Sequence, residues 1–144
     1  MAAFTTDKIR NIALCGHSGC GKTTFAEAML FEAKATNRRG TVEEGYTQSA
    51  YSALEQQRGH SLFASLLHCV WKNTKINIID TPGLDDFAGE VVTALKVADT
   101  AIMLLNARSG VEVGTELIWE HVEKMKLLLY LSSISSIMKK PILN

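Results

Sequence analysis

Little in this chain suits a secreted or membrane protein. It has three cysteines in 144 residues, Cys15, Cys20 and Cys69. An odd, scattered set of that kind argues against a disulfide framework or a zinc site, and fits a reducing compartment. No apolar run is long enough to span a bilayer. The opening residues Met1 to Lys8 lack the apolar core of a secretion signal, so a cytoplasmic location is expected. Formal net charge is zero, which removes any broad attraction to nucleic acid or to an anionic membrane. Neither DNA nor a membrane is expected as a partner, and any RNA or ribosome contact has to be local. No internal repeat is visible. Hydrophobic residues at 47% and charged residues at 21% leave enough apolar material for one domain with a real core.

The stretch Gly16-His17-Ser18-Gly19-Cys20-Gly21-Lys22-Thr23 has the spacing G-x-x-x-x-G-K-T, a phosphate-binding loop. Apolar Ile12 to Cys15 before it reads as a buried strand over 10–15. Thr24 to Ala33 after it reads as part of a helix over 22–35. Glycines let the backbone turn tightly and approach a phosphate. Successive N–H groups then form an anion nest at the positive end of a helix. Lys22 supplies a point charge for the β- and γ-phosphates, and the Thr23 hydroxyl a ligand for Mg²⁺. Phe25, Met29, Leu30 and Ala33 recur at helical spacing and are expected to pack on a sheet, with Phe31 also in or near the core.

Thr36 to His60 is polar and glycine-punctuated, the composition of a functional or mobile loop. Its Arg38-Arg39 pair reads as a solvated surface pair. Ser61 to Trp71 reads as a strand, Lys72 to Lys75 as a turn and Ile76 to Asp80 as a second strand, together a hairpin. Pro82 and Gly83 stop that strand. A helix over 88–97, a strand over 100–106 and a helix over 114–125 follow. Strands alternating with helices imply an α/β fold with a mainly parallel sheet covered on both faces. A ligand site then lies at the carboxyl ends of the strands. The loop at 16–23 and Asp80-Thr81-Pro82-Gly83 both sit at such ends. Asp80 takes the position of a carboxylate that holds Mg²⁺ directly or through water, and Gly83 can turn its N–H toward a γ-phosphate. The alternative for Asp80 is a helix N-cap with Pro82 in the first turn.

These residues resemble the GTP-binding domain of translational GTPases, elongation factor G most closely. The resemblance rests on 16–24, on Arg58-Gly59-His60-Ser61, on Ile76 to Gly83 and on Asp86-Phe87, with support from Gly40 to Gly45 and Gly110 to Val113. It covers roughly residues 8–127. It implies a P-loop G domain that binds GTP and Mg²⁺ and acts on the large subunit of the ribosome. By position, Gly16, His17, Ser18, Gly19, Cys20, Gly21, Lys22, Thr23 and Thr24 form the nucleotide loop. Ser61 stands where the family's first switch has a threonine that meets Mg²⁺ and the γ-phosphate, and it keeps the hydroxyl. Asp80 and Gly83 take the second-switch roles, which makes Thr23, Ser61 and Asp80 the implied metal ligands.

Two departures follow. The family's Asp-Thr-Pro-Gly is usually followed by a histidine that positions the attacking water, and here that place holds Leu84. Leucine cannot hydrogen-bond water, so no residue is assigned as catalytic and hydrolysis is expected to be weak or partner-dependent; His17 and His60 read as ordinary loop residues. The family's guanine-reading Asn-Lys-x-Asp is also absent after Lys126. Back-translating the tail past Leu127 and shifting the frame one base earlier permits Pro-Thr-Ile-Phe-Val-Val-Asn-Gln-Leu-Asp, with lysine also permitted for the glutamine. Ile134 and Ile137 confine the two key positions to Asn, Asp, His or Tyr. The expectation is therefore a G-domain part over 1–127 and an atypical, frameshifted tail over 128–144, with a native terminus as the alternative. The apolar Leu127 to Leu131 is expected to add to the sheet edge. Other readings are a nucleotide-binding, ribosome-associated module with little hydrolysis, a non-functional fragment, or an ATP-using P-loop enzyme.

Overall fold

The structure, a computed structural model, describes residues 4–41, 46–49, 61 and 63–134, with the backbone alone at 84–88 and 134. Five strands form one sheet: β1 Ile9–Cys15, β2 Ser65–Trp71, β3 Thr74–Asp80, β4 Thr100–Asn106 and β5 Leu128–Ile134. Their spatial order is β2-β3-β1-β4-β5. β3, β1, β4 and β5 run parallel, and only the β2–β3 hairpin is antiparallel. Among the described residues three α-helices, α1 Lys22–Glu32, α2 Leu84–Val97 and α3 Val113–Met125, supply the crossovers. This is the α/β, mainly parallel sheet that the alternating pattern implies.

The two faces follow from strand alternation. On one face, Leu14 of β1, Ile78 of β3 and Cys69 of β2 meet Ala26 and Leu30 of α1, with Phe25, Met29 and Ala33 beside them. On the other, Ala13 and Cys15 of β1 and Ala101 and Met103 of β4 meet Val91, Ala94 and Leu95 of α2 and Ile118 and Val122 of α3. Phe31, expected in or near the core, is 42% exposed. It lies one position round the helix from Leu30, on the side that turns away from the sheet.

Boundaries shifted where backbone geometry outweighed composition. α1 ends at Glu32 rather than near 35, because Lys34 turns left-handed at φ 56°. Its N–H then bonds the Phe31 carbonyl and that of Ala35 the Leu30 carbonyl, closing the helix. α2 begins at Leu84 rather than Ala88, with Gly83 as its extended N-cap at ψ 152°. No proline or glycine separates 84 from 88, so the helix runs back to Gly83. The hairpin turn is only Lys72-Asn73, both left-handed at φ 46° and 62°, and Thr74 and Lys75 already belong to β3. β5 pairs with β4 from Thr100–Leu128 to Asn106–Ile134, so the tail does extend the sheet, and further than Leu131.

Candidate nucleotide site

β1 and β3 lie side by side with Leu14 opposite Asp80, so the two loops that leave them start as neighbours. Thr81 stitches them together. Its hydroxyl donates to the Leu14 carbonyl at 2.7 Å and the residue is wholly buried. The site lies beyond the carboxyl end of the central strand, where one crossover leaves toward β3 and β4 lies on the other side. Open α/β sheets bind ligands at such a point.

The loop after β1 owes its shape to three glycines. Gly16, Gly19 and Gly21 have φ of 145°, 74° and 98°. A Cβ on Gly16 would run into the Leu104 carbonyl and lie 2.7 Å from Cys20 Sγ. Gly21 is the left-handed N-cap from which α1 starts. Ser18 and Gly19 form the exposed crest of the loop, while Cys20 is buried. Burial pushes the thiols of Cys15, to about 12, and of Cys20 upward, which leaves both protonated and unreactive. Thr24 is exposed on the first turn of α1.

Lys22 is 7% exposed. Its Nζ donates to the carbonyls of Gly16 at 2.9 Å and His17 at 2.8 Å, with Cys20 Sγ 3.9 Å away. The ammonium is thus fixed inside the concave side of the loop, where an anion would be drawn. His17 Nε2 lies 3.7 Å from Glu112 Oε1. The Glu112 side chain also caps α3, so the loop is tied to the start of that helix.

Asp80 ends β3 and is 1% exposed. Because α2 is capped by Gly83, Asp80 is not a helix N-cap, and that alternative falls away. Its Oδ2 accepts the Thr23 hydroxyl at 2.8 Å, while Oδ1 is buried and has no hydrogen-bond partner among the described residues. Ser61 Oγ lies 3.5 Å from Thr23 Oγ1. Three hard oxygen donors from three distant parts of the chain therefore converge, and one buried carboxylate oxygen is left over. That donor set fits a divalent cation such as Mg²⁺, which prefers one or two carboxylate or hydroxyl ligands plus water and phosphate.

Gly83 brings the second loop onto the first. A Cβ there would lie 2.7 Å from Ser18 Cβ and 2.9 Å from Ser18 N. Leu84 follows directly as the first residue of α2. Arg38, half of the expected solvated pair, lies 5.4 Å from the Tyr46 ring centroid. The Arg58-Gly59-His60 part of the first-switch motif lies outside the described residues. Sequence reasoning passed over Thr81, Ser49, Glu112 and Glu27. For Glu27 a signal existed: a charge on an apolar helix, one turn beyond Thr23 and on the same face.

Burial raises the Asp80 carboxyl to about 6 from 3.8, against the lowering effects of the Thr23 hydroxyl and the Lys22 charge. The folded chain therefore holds this proton more tightly than the unfolded chain does. Its stabilising effect is complete below about pH 4 and is lost as pH rises through about 6. Without divalent cations, wild type should lose up to about 3 kcal/mol relative to Asp80→Asn between pH 4 and 7. Urea unfolding at both pH values checks this, and parallel profiles for the two proteins would refute it.

The model of the elongation factor Tu GTP binding domain matches residues 7–133. Mitochondrial ribosome-releasing factor 2 of Lodderomyces elongisporus is 42% identical over 120 residues, which are 83% of this chain and 14% of that protein. Tetracycline resistance protein TetM of Enterococcus faecalis is 41% identical over 118 residues, 82% of this chain and 18% of that one. A crystal structure of a Thermus thermophilus protein superposes with a TM-score of 0.84 at 36% identity, over 88% of this chain and 19% of the other. Translation elongation factor SelB of Methanococcus maripaludis, at 17% identity and TM-score 0.68, shares the fold. The chain spans less than a fifth of the length of the two named relatives. With the phosphate loop, the Asp80–Gly83 loop and this likeness together, the chain belongs to the translational GTPases, as an elongation factor G-like GTP-binding domain.

Proposed function

We propose that this chain is a nucleotide switch of a ribosome-acting factor, one that holds GTP and Mg²⁺ and hydrolyses slowly. The observation that carries the reading is the convergence of Thr23 Oγ1, Ser61 Oγ and the unpartnered Asp80 Oδ1 beside the loop that fixes Lys22. Gly16 to Thr24 cradle the phosphates; Thr23, Ser61 and Asp80 hold the metal, which neutralises charge on the β- and γ-phosphates when bound. Gly83, packed on Ser18, turns its N–H toward the γ-phosphate. The partners are GTP, GDP and the large ribosomal subunit, with no DNA and no membrane. Among the described residues no helix is long and apolar enough to cross a membrane. The free cysteines suit a reducing compartment, for which we take the cytoplasm.

The division into a G-domain part over 1–127 and a frameshifted tail over 128–144 is part of the proposal. β5 supplies the strand after which the family reads guanine, and the sequence beyond it carries no Asn-Lys-x-Asp. Sequencing the coding DNA tests the tail, and codons that do not permit the alternative frame end that idea. A base-reading carboxylate of this kind separates ligands by orders of magnitude, because the wrong base leaves buried groups unpaired. Without it, fluorescent GTP and ATP analogues titrated with Mg²⁺ should differ by less than about tenfold in affinity. A preference above about a thousandfold would show that another group reads the base. Failure to bind either nucleotide would overturn the function itself. Leu84 favours the second reading, a ribosome-associated nucleotide-binding module with almost no turnover.

A further inference from the structure

Among the described residues between α1 and β2, Gln48 and Ala64 are held by the carboxylates of Glu27 and Glu90, and neither carboxylate belongs to the phosphate or metal chemistry. Glu27 is 1% exposed. Its Oε1 accepts the Gln48 backbone N–H at 2.5 Å, and its Oε2 is buried without a partner among the described residues. Gly40 lies against the same carboxylate, since a Cβ there would come within 2.8 Å of Glu27 Cδ. Gly40 and Gln48 flank a bridge in which Thr41 N–H bonds the Tyr46 carbonyl and Tyr46 N–H the Thr41 carbonyl. Ser49 comes next and is 1% exposed; its carbonyl accepts the Ser65 hydroxyl at 2.7 Å. Ser65 is the register partner of Asp80. At the far end of the segment, Ala64 N–H donates to Glu90 Oε2 of α2 at 3.1 Å.

Burying a carboxylate is costly unless it makes strong hydrogen bonds, and an apolar side chain would fill the same space on α1 without that cost. That cost is offset where the side chain supplies an acceptor to a neighbouring backbone N–H, as Glu27 does for Gln48. We propose that Glu27 is a positioning residue that latches 40–41 and 46–49 onto α1, so that Ser49, held by Ser65 beside Asp80, steadies the metal side of the site around bound nucleotide. The latch rests on the nucleotide reading above for its consequence, though not for its geometry.

The test uses the 144-residue chain with Glu27→Ala, Glu27→Asp and Glu27→Gln. Asp keeps the charge but withdraws the acceptor by one methylene. Gln keeps both the length and a carbonyl acceptor. The first readout is hydrogen exchange at the Gln48 amide, which needs no nucleotide. Loss of a hydrogen bond to a charged group should speed it about tenfold or more in Ala and Asp, with Gln within about threefold of wild type. Unchanged Gln48 exchange in both Ala and Asp overturns the latch, and Asp decides alone if Ala does not fold. The second readout is release of fluorescent GDP with Mg²⁺ and with chelator. The latch predicts release about tenfold faster in Ala and Asp with Mg²⁺ and unchanged with chelator, with recovery in Gln. Equal acceleration in both conditions would mean a merely structural role and would overturn the role at the metal side. Wild type that holds no nucleotide would refute the nucleotide reading and the role at the metal side, leaving Gln48 exchange to decide the latch alone.

Discussion

Leu84→His should raise ribosome-stimulated GTP turnover on the order of 10²–10⁴-fold, the span typical of one positioned group that handles a proton or water. Gly83 touches Ser18 at the crest of the phosphate loop, and Leu84 is the next residue, opening α2. The first residue of that helix is therefore held at the phosphate end of the site by the rigid stop Pro82-Gly83. A leucine there has no atom that can orient water or stabilise developing charge, whereas an imidazole does both at neutral pH. Water positioning acts in the transition state, so kcat should rise while nucleotide affinity stays within about threefold. The measurement is single-turnover phosphate release with saturating ribosomes. It is made on this chain and on the same domain carried in a full-length factor. Leu84→Asn serves as a polar control that cannot take part in proton transfer. No gain in either setting would show that position 84 is not where the water is aimed, and the slow hydrolysis would then need another cause.

The parts of the fold that were legible in the sequence are those dictated by local physics. Glycines at 16, 19 and 21 announce a backbone that must turn where side chains clash, and the structure has all three at positive φ. The β-branched residues Ile76, Ile78 and Ile79 announce a strand, and β3 contains them. What the pattern could not show is orientation round a helix. Phe31 and Leu30 are adjacent apolar residues, yet one is exposed and the other buried, because a step of one residue turns the helix by about 100°. The long-range pairings were also hidden. Ser49 belongs to a polar stretch that composition assigns to a loop, yet its carbonyl is held by Ser65 across the fold. Glu27 stands out in the sequence as a charge on the apolar side of α1, but the partners it meets, Gly40 and Gln48, show only in the fold. Likewise the spacing of the metal-side donors, residues 23, 61 and 80, carries no periodic signal. Their meeting depends on the register of β1 and β3, which places Leu14 beside Asp80.

Lys22 is the residue whose loss should cost most in binding. Lys22→Met keeps the length and apolar stem and removes only the ammonium. That charge is nearly buried, and its two short bonds to the Gly16 and His17 carbonyls fix it against the loop. A positive charge already desolvated and oriented needs little reorganisation when phosphate arrives, which is why its contribution is large. Removing one member of such a charge pair typically costs about 2–5 kcal/mol, or roughly 30- to several-thousand-fold in nucleotide affinity. A smaller effect on folding is expected, about 1–3 kcal/mol, because the two carbonyls lose their donor. Lys22→Arg should not rescue binding. A planar guanidinium cannot replace a compact ammonium that reaches two convergent carbonyls from within the loop. Thr23 and Asp80 remain in place, so the weakened binding should still respond to Mg²⁺. Isothermal titration with GDP and Mg²⁺, beside urea unfolding of the same variants, separates the two losses. If affinity fell only in proportion to stability, the loop would be a structural turn, and the phosphates would have to be sought elsewhere on the sheet.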